Sequence, residues 1–109
     1  MRPRPLPPGI TYSGIWDSNW GEMKLTQTGK RVYGTFKYRN GTITGTLDGD
    51  VLHFKWRQQE SRYAGQGSGY LQMTPDGTHL EGRWGYQDNE VEGGRWWADK
   101  AESQTETTD

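Results

Sequence analysis

From Arg31 to Arg57 the chain changes character at every residue. Val32, Gly34, Phe36 and Tyr38 alternate with Arg31, Tyr33, Thr35, Lys37 and Arg39. Ile43, Gly45 and Leu47 alternate with Thr42, Thr44 and Thr46, and Leu52, Phe54 and Trp56 with Val51, His53, Lys55 and Arg57. A period of two belongs to a β-strand with one buried and one wet face. No segment carries the three-to-four spacing of an amphipathic helix. The runs are separated by turn chemistry. Asn40-Gly41 is a strong hairpin signal because both residues tolerate positive φ, and Asp48-Gly49-Asp50 turns the chain again. Such signals recur about every ten residues, as a meander requires. Strands are expected at 12–19, 21–28, 31–39, 42–48, 51–59, 67–74, 78–87 and 92–99. Sequential short strands lose their exposed edges by closing on themselves. The expected fold is therefore all-β, an eight-stranded antiparallel up-and-down barrel. A β-sandwich is the alternative.

An internal repeat supports the count. With an offset of 48, residues 23–38 align without gaps to residues 71–86. Thr26, Gly29, Gly34 and Tyr38 meet Thr74, Gly77, Gly82 and Tyr86. Met23, Leu25, Val32 and Phe36 meet Leu71, Met73, Leu80 and Trp84, and Ile43 and Gly45 meet Val91 and Gly93. Two four-strand halves related by a pseudo-twofold follow from this pattern.

A chain of 109 residues allows one domain. Its hydrophobic fraction of 29% would suit a disordered chain, but 6 Trp and 6 Tyr supply large apolar surfaces. Residues 1–10 hold Pro3, Pro5, Pro7 and Pro8 and read as an extended arm, either free or docked on the domain or a partner. Residues 11–100 form the barrel, and the polar segment 101–109 reads as disordered. A net charge of −1, with both signs interspersed, argues against nucleic acid as a partner. No apolar run approaches the ~20 residues of a membrane helix, and the opening residues lack the apolar stretch of a signal peptide. No membrane association and a cytoplasmic location are expected.

The segment from Gly14 to Phe36 resembles the opening of avidin-like and other calycin barrels, in which G-x-W starts the first strand and its Trp closes one barrel end. It resembles more closely a bacterial Trp/Gly-rich barrel pattern carried here by Trp16, Trp20, Gly21, Met23, Leu25, Gln27, Gly29, Val32, Gly34 and Phe36. The resemblance spans about 25 residues and implies a fold. The positions where avidins place polar biotin contacts hold Asp17, Ser18, Asn19 and Glu22, and Phe36 stands where a Tyr is expected.

The residues offer little catalytic chemistry. His53 and His79 lie opposite their strands' apolar rows, without a neighbouring Cys or His to complete a metal site. No nucleophile elbow, phosphate loop or dinucleotide fingerprint occurs. The carboxylates, among them Asp50, Glu81 and Glu90, fall at turns or outward positions, whereas acid–base work favours an apolar pocket. No catalytic residue, metal site or cofactor is expected. Ser18, Gln27, Gln58 and Arg95 form the inward polar set. Gly14, Gly34, Gly45, Gly69, Gly82 and Gly93 fall on the inward row. Either they make room for Trp16, Trp56, Trp84 and Trp97 to cross a narrow interior, or they leave a cavity. Alanine at Trp16 or Trp84 is expected to cost about 3–5 kcal/mol in either place.

The expected function is a non-catalytic binding module that recognises a protein partner or a small apolar ligand through the barrel mouth and loops. A lectin-like carbohydrate-binding barrel and a β-barrel cyclase are the alternatives. Candidate contact residues are Trp20, Tyr38, Arg62, Tyr63, Tyr86 and Trp96. In a regular last strand Trp97 faces inward and Trp96 outward, which would give a homo-oligomer, a dimer, an aromatic to bury.

Overall fold

The computed structural model describes residues 2–58, 65–87 and 89–101. Its strands are β1 (Gly14–Ser18), β2 (Gly21–Thr28), β3 (Arg31–Phe36), β4 (Gly41–Asp48), β5 (Val51–Gln58), β6 (Gln66–Met73), β7 (His79–Tyr86) and β8 (Gly94–Lys100). Each pairs antiparallel with the next, and β8 returns to β1, so the eight strands form a closed barrel in up-and-down order. The closing seam is short: Trp16 faces Lys100, Asp17 faces Asp99 and Ser18 faces Ala98. Asn19 prolongs it beyond the strand. Its Nδ2 donates to the Arg95 carbonyl at 2.9 Å, and its Oδ1 accepts from the Trp97 amide at 3.0 Å. Asn19, one of the four positions matched to avidin contacts, thus holds the wall together.

The alternating strand direction gives the barrel two unlike ends. One end gathers the chain start, the turns at 29–30 and 49–50, and the 74–78 loop. It is plugged. Tyr12 and Trp16 are fully buried there with Val32, Leu52, Leu71, Met73 and Leu80. The Trp16 Nε1 donates to the Tyr12 carbonyl at 2.9 Å, and the Tyr12 hydroxyl donates to the Asp50 carbonyl at 2.7 Å. Burial first, and the Asp50 carboxylate second, push the Tyr12 phenol far above its ordinary range, so it acts as a hydrogen-bond donor.

The Pro-rich arm docks across this end. Leu6 and Ile10 pack against the core, the Arg4 amide donates to Asp50 Oδ1 at 3.0 Å, and Gln72 Nε2 donates to the Arg2 carbonyl at 3.0 Å. Asp50 sits at a turn, as the sequence suggests, yet it is buried because the arm covers it. It accepts a second bond from Gln72 at 3.0 Å.

The repeat holds in part. The inward faces of β2 and β3 match those of β6 and β7, but the strand pairing differs by two residues: Leu25 faces Gly34, whereas Met73 faces Leu80. It fails at the last strand. Asn89 Oδ1 accepts the Val91 and Glu92 amides at 2.9 and 2.8 Å, which curls residues 89–92 into the loop before β8. Val91, the repeat mate of buried Ile43, is therefore exposed. Gly82 pairs with Trp96 in β8, where Gly34 pairs with Ile43 in β4.

This extra length reverses the expected parity. Trp96 faces inward and is 2% exposed, while Trp97 is only half-buried. The outward aromatic of the last strand is therefore Trp97 and not Trp96. Arg95 also faces out rather than in, paired to Glu81 at 2.6 Å. A further correction concerns the Asn40-Gly41 turn. The left-handed pair is Arg39 and Asn40, at φ 52° and 55°, while Gly41 already belongs to β4. Gly41 is extended, and its missing Cβ leaves room for the Phe36 ring, which a Cβ would overlap. Among the described residues no helix is long and apolar enough to cross a membrane.

Candidate functional site: an aromatic mouth

The barrel end opposite the arm gathers residues 19–20, the 3-10 turn Tyr38–Asn40, the end of β5 at Gln58, the start of β6 at Gln66 and residues 89–93 before β8. Here the inward rows run out of aliphatic residues and end in rings. Phe36 closes β3, Trp56 lies near the end of β5, Trp84 and Tyr86 end β7, and Trp96 lies near the start of β8. Trp20 and Tyr38 join them from the turns. These seven rings, with Arg39 and Gln58, line a cavity of about 210 Å³ that opens outward.

The rings are held by glycines on neighbouring strands. A Cβ at Gly67 would stand 2.8 Å from the Trp56 indole, and one at Gly93 would collide with the six-membered ring of Trp84. Gly69 likewise clears the Phe54 ring, whereas Gly34, Gly45 and Gly82 lie against the backbone of the neighbouring strand. The interior is filled at the plugged end and open at the mouth.

The rings meet edge to face, the arrangement favoured by their quadrupoles. Trp20 lies 5.4 Å from Trp84 at 86°, and Trp56 lies 5.7 Å from Trp84 at 84°. Trp96 forms the floor, 5.2 Å from both Phe36 and Phe54. Trp56 Nε1 donates to the Gly85 carbonyl at 3.2 Å. The Nε1 donors of Trp20 and Trp96 are buried and have no hydrogen-bond partner. A buried donor left unpaired costs about 1–3 kcal/mol. At the rim, the Arg39 guanidinium stacks over Tyr38 at 5.3 Å.

Four of the six candidate contact residues, Trp20, Tyr38, Tyr86 and Trp96, line this one cavity. Arg62 and Tyr63 lie outside the described residues. Sequence reasoning assigned Trp56 and Trp84 to packing and did not single out Arg39. The signal that could have found them is position: inward aromatics within two residues of the turns at one end. Asp17, Ser18, Asn19 and Glu22 do not line the cavity.

Both histidines meet carboxylates on the outer wall. His53 Nδ1 meets Glu90 at 3.0 Å. His79 is clamped between Asp99, 2.7 Å from Nδ1, and Glu81, 3.1 Å from Nε2. The hydrogen bond to Asp99 chiefly raises His79 above its ordinary 6.5, against the opposing effect of burial. Burial pushes Glu81 up, but bonds from His79 and Arg95 outweigh it and hold the carboxyl below its ordinary 4.5. A raised histidine stabilises the fold below its unfolded value and loses that contribution as pH rises through the folded one. A lowered carboxyl contributes above its unfolded value and loses it as pH falls through the folded one. The clamp is thus strongest between these two ordinary values. Partial exposure reduces it to about 0.5 kcal/mol. His79→Gln should lower the melting temperature near pH 5.5 and leave it unchanged near pH 9; the reverse order would contradict this assignment. Among the described residues no group of three metal-ligating side chains occurs.

No family model, curated protein or solved structure matches this chain.

Proposed function

We propose that this barrel is a non-catalytic binding module whose aromatic mouth takes one small, flat, largely apolar molecule. The observation that carries the reading is the convergence of seven rings on one open cavity of about 210 Å³ at the end of a plugged barrel. Small-molecule sites are concave, mostly apolar and equipped with few polar groups, and this mouth has that composition. A cavity of about 150 Å³ already accepts benzene, so this one has room for a fused two-ring system. The rings turn inward within the wall instead of spreading over a flat patch, which suits a small molecule better than a protein surface.

The reading is tested by titrating the neutral probe 2-naphthamide into the protein by calorimetry. One-to-one binding is expected, with a negative heat-capacity change from apolar burial. Trp84→Ala should weaken it at least about tenfold, the equivalent of ~1.4 kcal/mol. Undiminished binding to the variant would place the ligand elsewhere.

A further inference from the structure

We infer that the plugged end carries a peptide groove. The chain's own arm fills part of it, and an extended, arginine-containing, proline-rich segment of a partner protein takes the same place when the arm lifts away. The groove lies at the barrel end opposite the aromatic mouth and does not depend on what the mouth binds.

The floor of the groove is chemically selective. Asp50 is a buried carboxylate, and its Oδ1 accepts from the Arg4 amide and from Gln72 Nε2, each at 3.0 Å. Its Oδ2 lies 3.6 Å from Arg4 Nε. With the arm gone, Gln72 is the one side chain among the described residues that bonds this carboxylate. A carboxylate in such a place favours N–H donors and positive charge, and an arginine supplies both. The prolines suit the same surface for a second reason. Pro3 and Pro5 flank Arg4 and have no N–H. One amide is therefore offered where one carboxylate accepts, and neither flanking residue brings a donor that would be left unpaired.

The groove is larger than the arm. A hollow of about 140 Å³ remains between Pro5, Leu6 and Pro7 on the arm and Met73, Thr74 and Pro75 on the barrel. The same three barrel residues and Arg4 border an adjoining open depression of about 450 Å³, which lies on the outer wall beside Tyr70 and Gln72 of β6. Tyr70 gives it an aromatic surface, the kind on which proline-rich segments dock. A longer segment with bulkier side chains than the arm's would occupy both hollows.

The arm is held in a way that permits exchange. Residues 2–7 belong to no strand or helix. Their polar contacts are the bonds at Arg4 and Arg2 and the Arg4–Asp50 pair, whose arginine side chain is 59% exposed. Leu6 adds partial apolar packing. Segments with so few buried contacts open at a small fraction of the free energy of global unfolding. The main competitor for the groove is the arm of a second copy. Against it stands the turn that joins the arm to the barrel, closed by the Ile10 amide donating to the Pro7 carbonyl at 3.1 Å. This short connection gives the chain's own arm a high effective concentration that an identical arm from another copy cannot match. A partner segment that also fills the neighbouring hollows has the extra contacts to displace it.

Fluorescence anisotropy on the full chain tests this, with a fluorescein-labelled peptide of residues 2–8 as the probe. Wild type is compared with the Arg4→Glu, Leu6→Ser double variant, which lifts the arm by repulsion from Asp50 and loss of apolar contact. The arm variant should bind the probe at least about tenfold tighter than wild type, whose own arm competes. Asp50→Asn added to the arm variant should weaken the probe at least about tenfold. Gln72→Ala, on the outer wall, should weaken it in the same direction and serves where Asp50→Asn does not fold. A probe with glutamate in place of the arginine that matches Arg4 should not bind. The inference is overturned if the arm variant does not bind the probe, if wild type binds it equally well, or if binding survives both Asp50→Asn and Gln72→Ala. A wild-type dimer in light scattering that the arm substitutions dissolve would assign the groove to a second copy, and would overturn it as well.

Discussion

Trp16→Ala is expected to lower the stability of the barrel by about 3–5 kcal/mol in chemical denaturation, the usual cost of truncating a buried Trp. Trp16 is fully buried at the plugged end. Its Nε1 bond to the Tyr12 carbonyl fixes the segment leading into β1. The Lys100 ammonium, depressed below its ordinary value by burial, lies 4.7 Å over the indole. Trp16 and Lys100 are also directly paired across the β1–β8 seam. One truncation therefore opens a cavity, orphans a carbonyl and loosens the closure of the sheet. A domain of this size has a total stability of roughly 5–15 kcal/mol, so the variant should be largely unfolded at modest urea. A loss under about 1 kcal/mol would mean that Trp16 does not plug the barrel.

Trp96→Ala should cost a similar ~3–5 kcal/mol. Trp84→Ala should cost less than half as much. Trp96 is the floor of the mouth, wedged between Phe36 and Phe54, and its removal joins the open cavity to the packed core. Trp84 is only half-buried, so much of its surface is already wet. The two indoles lie on adjacent strands and share Trp20 as a neighbour. Parallel denaturation curves of both variants check the difference. Equal losses would show that Trp84 belongs to the core as fully as Trp96. The equal costs expected from the alternation alone for Trp16 and Trp84 are revised for this reason: an inward register does not reveal how near a residue lies to an open end.

The strands were readable because hydrophobic alternation and turn chemistry are local, and a barrel enforces both. The boundaries of β2, β4 and β5 depart from the sequence reading by at most one residue. What escaped detection depends on contacts distant along the chain. The arm docks because Asp50 and Gln72 bond it, partners separated from Arg4 and Arg2 by 46 and 70 residues. The parity of Trp96 turns on how many residues the 87–93 loop absorbs, and Asn89 sets that by a side-chain bond that no alternation signals. The repeat misled here, and by two residues in the β6–β7 pairing, because it assumed equal hairpins in both halves. The mouth was half legible. Its exposed aromatics could be picked out, whereas the split between a packed end and a hollow one depends on which turns share an end.

The central claim is that a flat ligand enters the aromatic mouth and leaves the plugged end untouched. The Trp indoles report on it directly, because Trp16 sits at the plugged end while Trp20, Trp56, Trp84 and Trp96 line the mouth. In a two-dimensional proton–nitrogen spectrum, saturating 2-naphthamide should shift the indole signals of Trp20, Trp84 and Trp96, whose rings line the mouth. The Trp16 signal should stay in place, held by its bond to Tyr12. A shift confined to Trp16, or an even drift of all the indoles, would contradict the account.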